Sequence, residues 1–406
     1  MPAAGVAADT VPGASMRILL FSDSLYPEFV GGIERRNADL AAALARRGHA
    51  VTLAGFGAGG PSPPGVRVVS LGARRPVYTP SGTRATRPVL ALARAAWRIP
   101  LGDYDVVETS SVPFAHLFPL ALRCAAARRP LLVTWYEFWG SYWNEYAGLG
   151  RGTAYRAVEW LAAQLGSVVA SSALTASRLA RRRRGGEEAP VVPCGTDVDE
   201  IAAETGGISP DPDRIIYAGR LLAHKRVDLL LDALALLPHV RLVVYGRGPE
   251  RERLGQRARR LGIENRVDFR APAPERAELW REIRRSALAI QPSAREGFGI
   301  FPLEAMAAGV PVVCVRAELN AVPELVRPGI EGACAEANAE SLAEAVRGLL
   351  GVPQRAAMGE RARLRAAGYR ADDAAAAIES AFEKLLRRAG IPVRPPPSRE
   401  ERDPAA

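Results

Sequence analysis

Lysine is nearly absent from this 406-residue chain: Lys225 and Lys384 are the two lysines among 54 basic residues, and the rest are arginine. Against that background each lysine is a candidate for a place where a compact ammonium is needed rather than a planar guanidinium. Cysteine is scarce too. Cys124, Cys194, Cys314 and Cys334 are scattered, with no C-x-x-C pair. That signals neither a disulfide framework nor a cysteine-based zinc site, and a reducing compartment is the simplest setting. No uncharged apolar run reaches the roughly 18 residues that span a bilayer, and the opening MPAAGVAADTVPGAS lacks the basic residue and apolar stretch of a signal peptide. The expectation is a cytoplasmic protein. His49 and His116 have no Cys, Asp or second His at metal-ligand spacing, and no G-x-S-x-G elbow occurs, so no metal site and no such nucleophile are indicated.

What is present is an ordinary globular composition. The chain is 48% hydrophobic, and its 38 glycines show no three-residue period, which excludes disorder and collagen. At roughly 100–200 residues per domain the length favours two large domains. The formal charge of +10 is unevenly placed: residues 1–190 hold 22 Arg against 13 acidic residues, a net of +9, and residues 191–406 hold 32 basic against 31 acidic, a net of +1.

Apolar β-branched runs alternate with Ala/Leu/Arg helical patterns, the signature of βαβ units and parallel sheets. Strands are expected at Arg17–Ser22, Val51–Gly55, Val66–Leu71, Asp105–Thr109, Leu131–Trp135, Ser167–Ser171 and Val191–Pro193, then at Arg214–Ala218, Val240–Tyr245, Val267–Arg270, Ala287–Gln291 and Val310–Val315. The expected fold is α/β, with two Rossmann-like doubly wound domains facing across a cleft and a helical C-terminal end. Its parts are a disordered leader over 1–15, a first domain over 16–200, a Gly/Pro/Asp-rich linker over 201–213 and a second domain over 214–370. A terminal helix over 371–390 packs back toward the first domain, and a Pro-rich tail over 391–406 stays unfolded. Ligands of such sheets bind outside the carboxyl ends of the strands, which makes the cleft the natural site.

Four motifs stand out. Arg295-Glu296-Gly297-Phe298-Gly299-Ile300-Phe301-Pro302-Leu303-Glu304-Ala305-Met306 follows a strand and opens a helix, with Pro302 expected at its first position. Main-chain N–H groups from Gly297 to Gly299 can approach an anion there. Glu296 and Glu304, eight residues apart, can both face one ligand and accept hydrogen bonds from vicinal hydroxyls. The plainer alternative is a dipole-complementing Glu304 and a solvated Glu296. Second, Gly219-Arg220-Leu221-Leu222-Ala223-His224-Lys225 follows another strand, where Arg220 and Lys225 either reach a diphosphate or are two surface cations. Third, Gly31-Gly32 lies between the first strand and the first helix, a phosphate-approaching loop or a tight connection. Fourth, residues 135–146 hold seven of the 26 aromatics. They form a platform for a sugar ring or a lipid headgroup boundary, or core packing along a helical face. The run Arg181–Arg184 is a solvated helix end or a contact for anionic lipid.

In this order the motifs resemble the retaining glycosyltransferases of family 4, which have the GT-B fold: a Gly-Gly loop, then G-R-x-x-x-x-K, then E-x7-E within E-G-F-G-x-x-x-x-E-A-M-A-x-G-x-P-V-V. The resemblance runs over roughly residues 17–385 and implies an N-terminal acceptor domain and a C-terminal nucleotide-sugar donor domain. It implies that Arg220 and Lys225 hold the donor diphosphate, Glu304 the ribose hydroxyls and Glu296 the transferred sugar. Gly31, Gly32, Gly219, Gly246, Gly297, Phe298, Gly299 and Ile300 complete the donor site. Tyr136, Glu137 and Trp139 are the candidate acceptor or sugar contacts. One departure is plain: the family usually has His before an acidic residue after the fifth strand, and here Tyr136 precedes Glu137. A tyrosine hydroxyl can donate to a sugar but does not titrate as an imidazole does.

The implied reaction moves a hexose from a nucleoside diphosphate sugar, UDP- or GDP-linked, to an acceptor hydroxyl in glycolipid, envelope polysaccharide or small-glycoside synthesis. No cofactor and no metal are expected. A nucleotide-sugar epimerase or phosphorylase, or a silent nucleotide-sugar-binding protein, shares the fold; a glycosidase built on Glu296 and Glu304 leaves Arg220 and Lys225 unexplained. The partners expected are the nucleotide sugar and a sugar or lipid acceptor. The charge excess, lying in the acceptor half, points to peripheral contact with anionic membrane at the inner face of the cell membrane rather than to nucleic acid, for which no recognition module is present.

Overall fold

The computed structural model of the chain describes residues 15–392 except 29, 30, 59, 61, 74–78, 80–83 and 274. The expected leader and tail therefore lie outside the described residues, apart from Ser15, Ile391 and Pro392. The first sheet comprises β1 (Arg17–Phe21), β2 (Ala50–Gly55), β3 (Val66–Ser70), β4 (Val106–Ser110), β5 (Leu131–Trp135) and β6 (Ser167–Ala170), in the order β3-β2-β1-β4-β5-β6. The second comprises β7 (Asp211–Ala218), β8 (Arg241–Tyr245), β9 (Val267–Arg270), β10 (Ser286–Gln291), β12 (Val312–Val315) and β14 (Gly332–Ala335), in the order β14-β12-β10-β7-β8-β9. Two short strands, β11 (Arg295–Glu296) and β13 (Leu319–Asn320), pair separately. Every pairing is parallel. Strands such as β5 and β10 are buried along their whole length, because helices cover both faces of each sheet.

Winding reverses between β1 and β4 in one sheet and between β7 and β10 in the other. Such switch points open a crevice at the strands' carboxyl ends. Gly31 and Gly32 leave β1 into helix α1 (Gly32–Arg46), Gly219 to Lys225 leave β7, and Ser293 to Gly299 leave β10. The chain returns near residue 370, where Arg370 bridges Thr196. The helix Ala371–Arg388 then lies on α1, and its Ala375, Ile378, Phe382 and Leu386 are fully buried in the core beneath β1, β2 and β4. Burying such side chains stabilises by roughly 1.5–3 kcal/mol each for the larger ones. The C-terminal helix thus belongs to the first domain's core.

Four local expectations need correction. The strand expected at Val191–Pro193 is a single bridge from Val191 to Ala170, since Pro190 and Pro193 have no N–H to give a ladder. The stretch 201–213 is not free of regular structure: the helix Val198–Thr205, capped by the Asp197 carboxylate, runs into it and β7 starts at Asp211. Strand β14, sequence GACA, carries no β-branched residue and escaped the pattern; a Cβ on Gly332 would overlap the Val312 carbonyl. The cysteines are not all scattered, because β12 and β14 put Cys314 and Cys334 in register with their sulfurs 3.1 Å apart.

Candidate active site

The loop after β7 and the loop after β10 meet. Lys225 Nζ donates to Glu296 Oε1 at 2.6 Å, with both side chains largely buried. The same oxygen accepts from the Ser293 hydroxyl at 3.1 Å and from the Gln291 amide. Glu296 is therefore a positioned carboxylate rather than a solvated loop charge. Arg220 belongs to the same cluster: its charge, with those of Arg295 and Lys225, adds to burial in holding His224 neutral, well below the usual histidine range. Arg220 also opposes the upward push that burial, foremost, and Glu296 exert on the Tyr217 hydroxyl.

Across the cleft, Gly31 caps α1 and Glu34 sits three residues on, its carboxylate folded back over the loop so that a Cβ on Gly31 would overlap it. Glu34 is buried. Burial, then the nearby Asp23, raise its carboxyl to about 7, against the pull of Arg220 and Arg84. The cleft thus contains a carboxyl that changes charge near neutrality, two residues beyond the Gly31-Gly32 pair and without a signal of its own in the sequence. Between pH 4.5 and 7 the unfolded chain releases this proton while the folded chain keeps it, so this group lowers stability as pH rises through that window. Relative to Glu34→Gln, wild type should lose on the order of 3 kcal/mol across it. Chemical denaturation of both proteins at pH 4.5, 6 and 7.5 measures the difference.

Glu304 is 1% exposed. Its Oε1 accepts from Arg35 Nη1 of α1 at 2.7 Å and from Trp280 Nε1 at 3.1 Å, with Arg276 Nη2 at 4.0 Å. Arg276 in turn forms a two-pronged pair with Asp39 of α1, at 2.7 and 3.1 Å. The second domain's carboxylate is thereby clasped by the first domain. The helix that carries it starts at Ile300, so Pro302 is its third residue rather than its first, and Gly299 caps it at φ 106°, a conformation that favours glycine.

Several of the glycines expected at the donor site stand where the chain packs closely. A Cβ on Gly297 would overlap the Tyr136 carbonyl of the first domain, and the Ser171 hydroxyl bridges the Gly297 and Tyr136 carbonyls at 3.0 and 3.2 Å. Gly246 packs on the Gly219 carbonyl and Gly219 on the Tyr217 hydroxyl. A Cβ on Gly32 would meet the Ile300 side chain across the cleft at 3.4 Å. Phe298 does not offer its ring to the cleft: it is 6% exposed, in the second domain's core, against Tyr369.

The aromatic segment is not one helix. Trp135 is buried in β5, and helix starts only at Tyr142. Trp139 packs on Trp143 at 4.2 Å, and its ring also meets Tyr142, Tyr146 and the Arg295 guanidinium, 3.5 Å from its centre. Glu137 accepts from Trp139 Nε1 at 2.6 Å and lies 3.2 Å from Arg295 Nε. Arg295 of the second domain is therefore seated between Glu137 and Trp139 of the first, and it occupies the platform expected for a sugar. Nothing in the sequence signalled this beyond its place beside Glu296. The Tyr136 hydroxyl is buried without a hydrogen-bond partner, and burial holds it well above the usual tyrosine range. Tyr136→Phe removes that unsatisfied donor, so its stability should equal or exceed the wild type's, by up to about 1 kcal/mol. A calorimetric scan of the two proteins reads this directly.

Among the described residues no group of three or more His, Cys, Asp or Glu side chains is placed to hold a metal ion, and no helix is long and apolar enough to cross a membrane. Residues 30–200 match the family Glycosyltransferase Family 4, and residues 198–365 match Glycosyl transferases group 1. A D-inositol 3-phosphate glycosyltransferase of Mycolicibacterium paratuberculosis is 33% identical over 213 residues, 48% of this chain and 47% of that protein. A GDP-mannose-dependent alpha-(1-6)-phosphatidylinositol dimannoside mannosyltransferase of Mycobacterium tuberculosis is 34% identical over 36% of this chain and 38% of its own. The chain thus spans about half or less of the length of these curated relatives. Among solved structures, sucrose-phosphate synthase from Thermosynechococcus elongatus superposes with a TM-score of 0.76 at 20% identity, covering 92% of this chain and all of that one. Anabaena Alr3699/HepE in complex with UDP and glucose superposes at 0.71 and 21% identity, covering 91% and 100%. With both halves matched and two Rossmann-like sheets facing across one cleft, the chain belongs to glycosyltransferase family 4 and has the GT-B fold.

Proposed function

We propose that this protein is a retaining glycosyltransferase that moves a hexose from a UDP- or GDP-linked sugar to an acceptor hydroxyl. The observation that carries the reading is the convergence of Arg220, Lys225 and Glu296 at the switch point of the second sheet, opposite the Gly31-Gly32 loop at the switch point of the first. A relative named for GDP-mannose and a fold neighbour holding UDP and glucose support a nucleotide-sugar donor. The family match of both halves favours transfer over an epimerase or phosphorylase.

In this reading the bond from the anomeric carbon to the diphosphate oxygen breaks while the acceptor oxygen attacks the same face. The acceptor proton passes to the departing phosphate oxygen. Charge builds on that diphosphate, and Arg220 and Lys225 stabilise it in a closed, water-poor cleft. Lys225 exchanges its contact with Glu296 for the phosphate, which frees the carboxylate for the sugar hydroxyls. Glu304 exchanges Arg35 for the ribose hydroxyls, so donor entry loosens one tie between the domains and their closure gates turnover. The positive charge is assigned to the two side chains, with no cofactor in the proposed step. The acceptor is a sugar or lipid hydroxyl.

Incubation with UDP- and GDP-hexoses, with and without a panel of sugar and glycolipid acceptors, tests the reading. Proton NMR of the product should show an anomeric configuration matching the donor's, with nucleoside diphosphate released in step. An inverted product, or an isomerised nucleotide sugar without acceptor, contradicts it.

A further inference from the structure

Between residues 40 and 102 the chain has nine arginines and not one aspartate or glutamate. Three of those arginines find carboxylates elsewhere: Arg46 pairs with Asp372, Arg47 with Glu379 and Arg84 with Asp23. Arg74 and Arg75 lie outside the described residues. The remaining four, Arg67, Arg87, Arg94 and Arg98, pair with no carboxylate among the described residues, and all four line one cavity of about 620 Å³. The cavity lies at the outer edge of the first sheet, between β3 and helix α2 (Thr86–Arg98). The cavity's size is that of a small-molecule site, about 300–1,000 Å³.

Helical geometry explains the arrangement. Arg87, Ala91, Arg94 and Arg98 recur at intervals of three and four and share a face of α2, while Leu92 and Ala96 point into the core. The cavity's interior is apolar, with Phe56, Val69 and Leu71 from the sheet side and Leu90 from the helix, and Leu90 is 56% exposed. One carboxylate, Asp103, stands on its rim against the four guanidinium groups. The run Arg181–Arg184, which invited the same idea from sequence, differs: Arg183 donates to the Ala163 carbonyl at 2.5 Å and Arg184 covers Trp160.

We propose that this cavity binds an anionic lipid, one alkyl chain lying along Phe56, Val69, Leu71 and Leu90 and the phosphate headgroup held by the arginines. A hydrophobic slot rimmed by unpaired guanidinium groups suits a ligand with an apolar body and an anionic end, since guanidinium forks match phosphate oxygens. The site is separate from the donor cleft, so failure of donor binding would leave it standing and its own failure would leave the donor reading intact.

Calorimetric titration of the full chain with dodecyl phosphate, held below its micelle concentration, tests the proposal. Dodecyl phosphate should bind at least about ten-fold more tightly than inorganic phosphate or dodecyl maltoside, and the double variant Arg94→Glu/Arg98→Glu should lose at least that factor. Both side chains are exposed, so this variant should keep the wild-type melting curve. In a second arm the protein should float with vesicles of phosphatidylglycerol and phosphatidylcholine, and Ala91→Trp, which fills the slot, should abolish that flotation. Equal binding of inorganic phosphate reveals a surface anion contact and overturns the proposal. So does a double variant that binds as wild type does, or a folded Ala91→Trp that still floats, since the contact would then be flat and electrostatic.

Discussion

Replacing Lys225 by alanine should lower kcat/KM by a factor of about 10² to 10³, the loss seen when one preorganised charge donor is taken from a developing anion. The fall should appear mainly in kcat, because the diphosphate gains charge as its bond to the sugar breaks. Geometry makes the residue hard to replace. Lys225 is held through Glu296, and Glu296 is itself fixed by Ser293 and Gln291 from the end of β10 and the loop that follows it, so the ammonium stands where the two strand-end loops meet. Lys225→Arg is the informative companion. A guanidinium restores the charge but not the compact shape, and in a chain that uses arginine almost everywhere else it should recover only part of the rate. Steady-state kinetics of the three proteins gives the ordering, and parallel melting curves separate loss of rate from loss of fold.

Glu304→Ala should destabilise the protein by about 3–5 kcal/mol, the cost of breaking a buried ion pair from one side. The carboxylate is almost wholly enclosed, and its removal leaves Arg35, whose side chain is 12% exposed, without its partner and the Trp280 indole N–H without its acceptor. Because Arg35 comes from α1 and Trp280 from the second domain, the substitution also unfastens the two halves. Urea denaturation should show the lower midpoint, and small-angle scattering of the folded variant should show a larger radius of gyration. Glu304→Gln keeps an acceptor for Trp280 and should lose less. A Glu304→Ala protein with the wild-type midpoint and radius would mean that Arg35 and Arg276 need no carboxylate there.

The sequence exposed the frame of this site because strands written as apolar runs end where glycine-rich motifs begin. Gly31-Gly32, Gly219 to Lys225 and Glu296 to Gly299 each follow a strand, and parallel sheets place such loops at one end. The pairing of Lys225 with Glu296 then follows from two strands, β7 and β10, lying side by side. What stayed hidden depends on contacts across long separations. Arg35 meets Glu304 from 269 residues away, and no periodicity connects them. Arg295 looked like the start of a loop motif, yet it is seated on Trp139 and beside Glu137, turning an expected sugar platform into a domain contact. Phe298 sits among glycines in the sequence and points the other way, into the core. The charge asymmetry of the first half was visible as a sum, but only the fold gathers four of its arginines around one apolar slot.

The central claim is that a nucleoside diphosphate sugar is held by the loops after β7 and β10. Isothermal titration of UDP, GDP and their hexose conjugates into wild type and Lys225→Ala tests it most directly. At least one of these ligands should bind the wild type and bind the variant at least about ten-fold more weakly, a loss of 1.4 kcal/mol or more. Absence of binding by every nucleotide, or equal affinity in the two proteins, would contradict the claim.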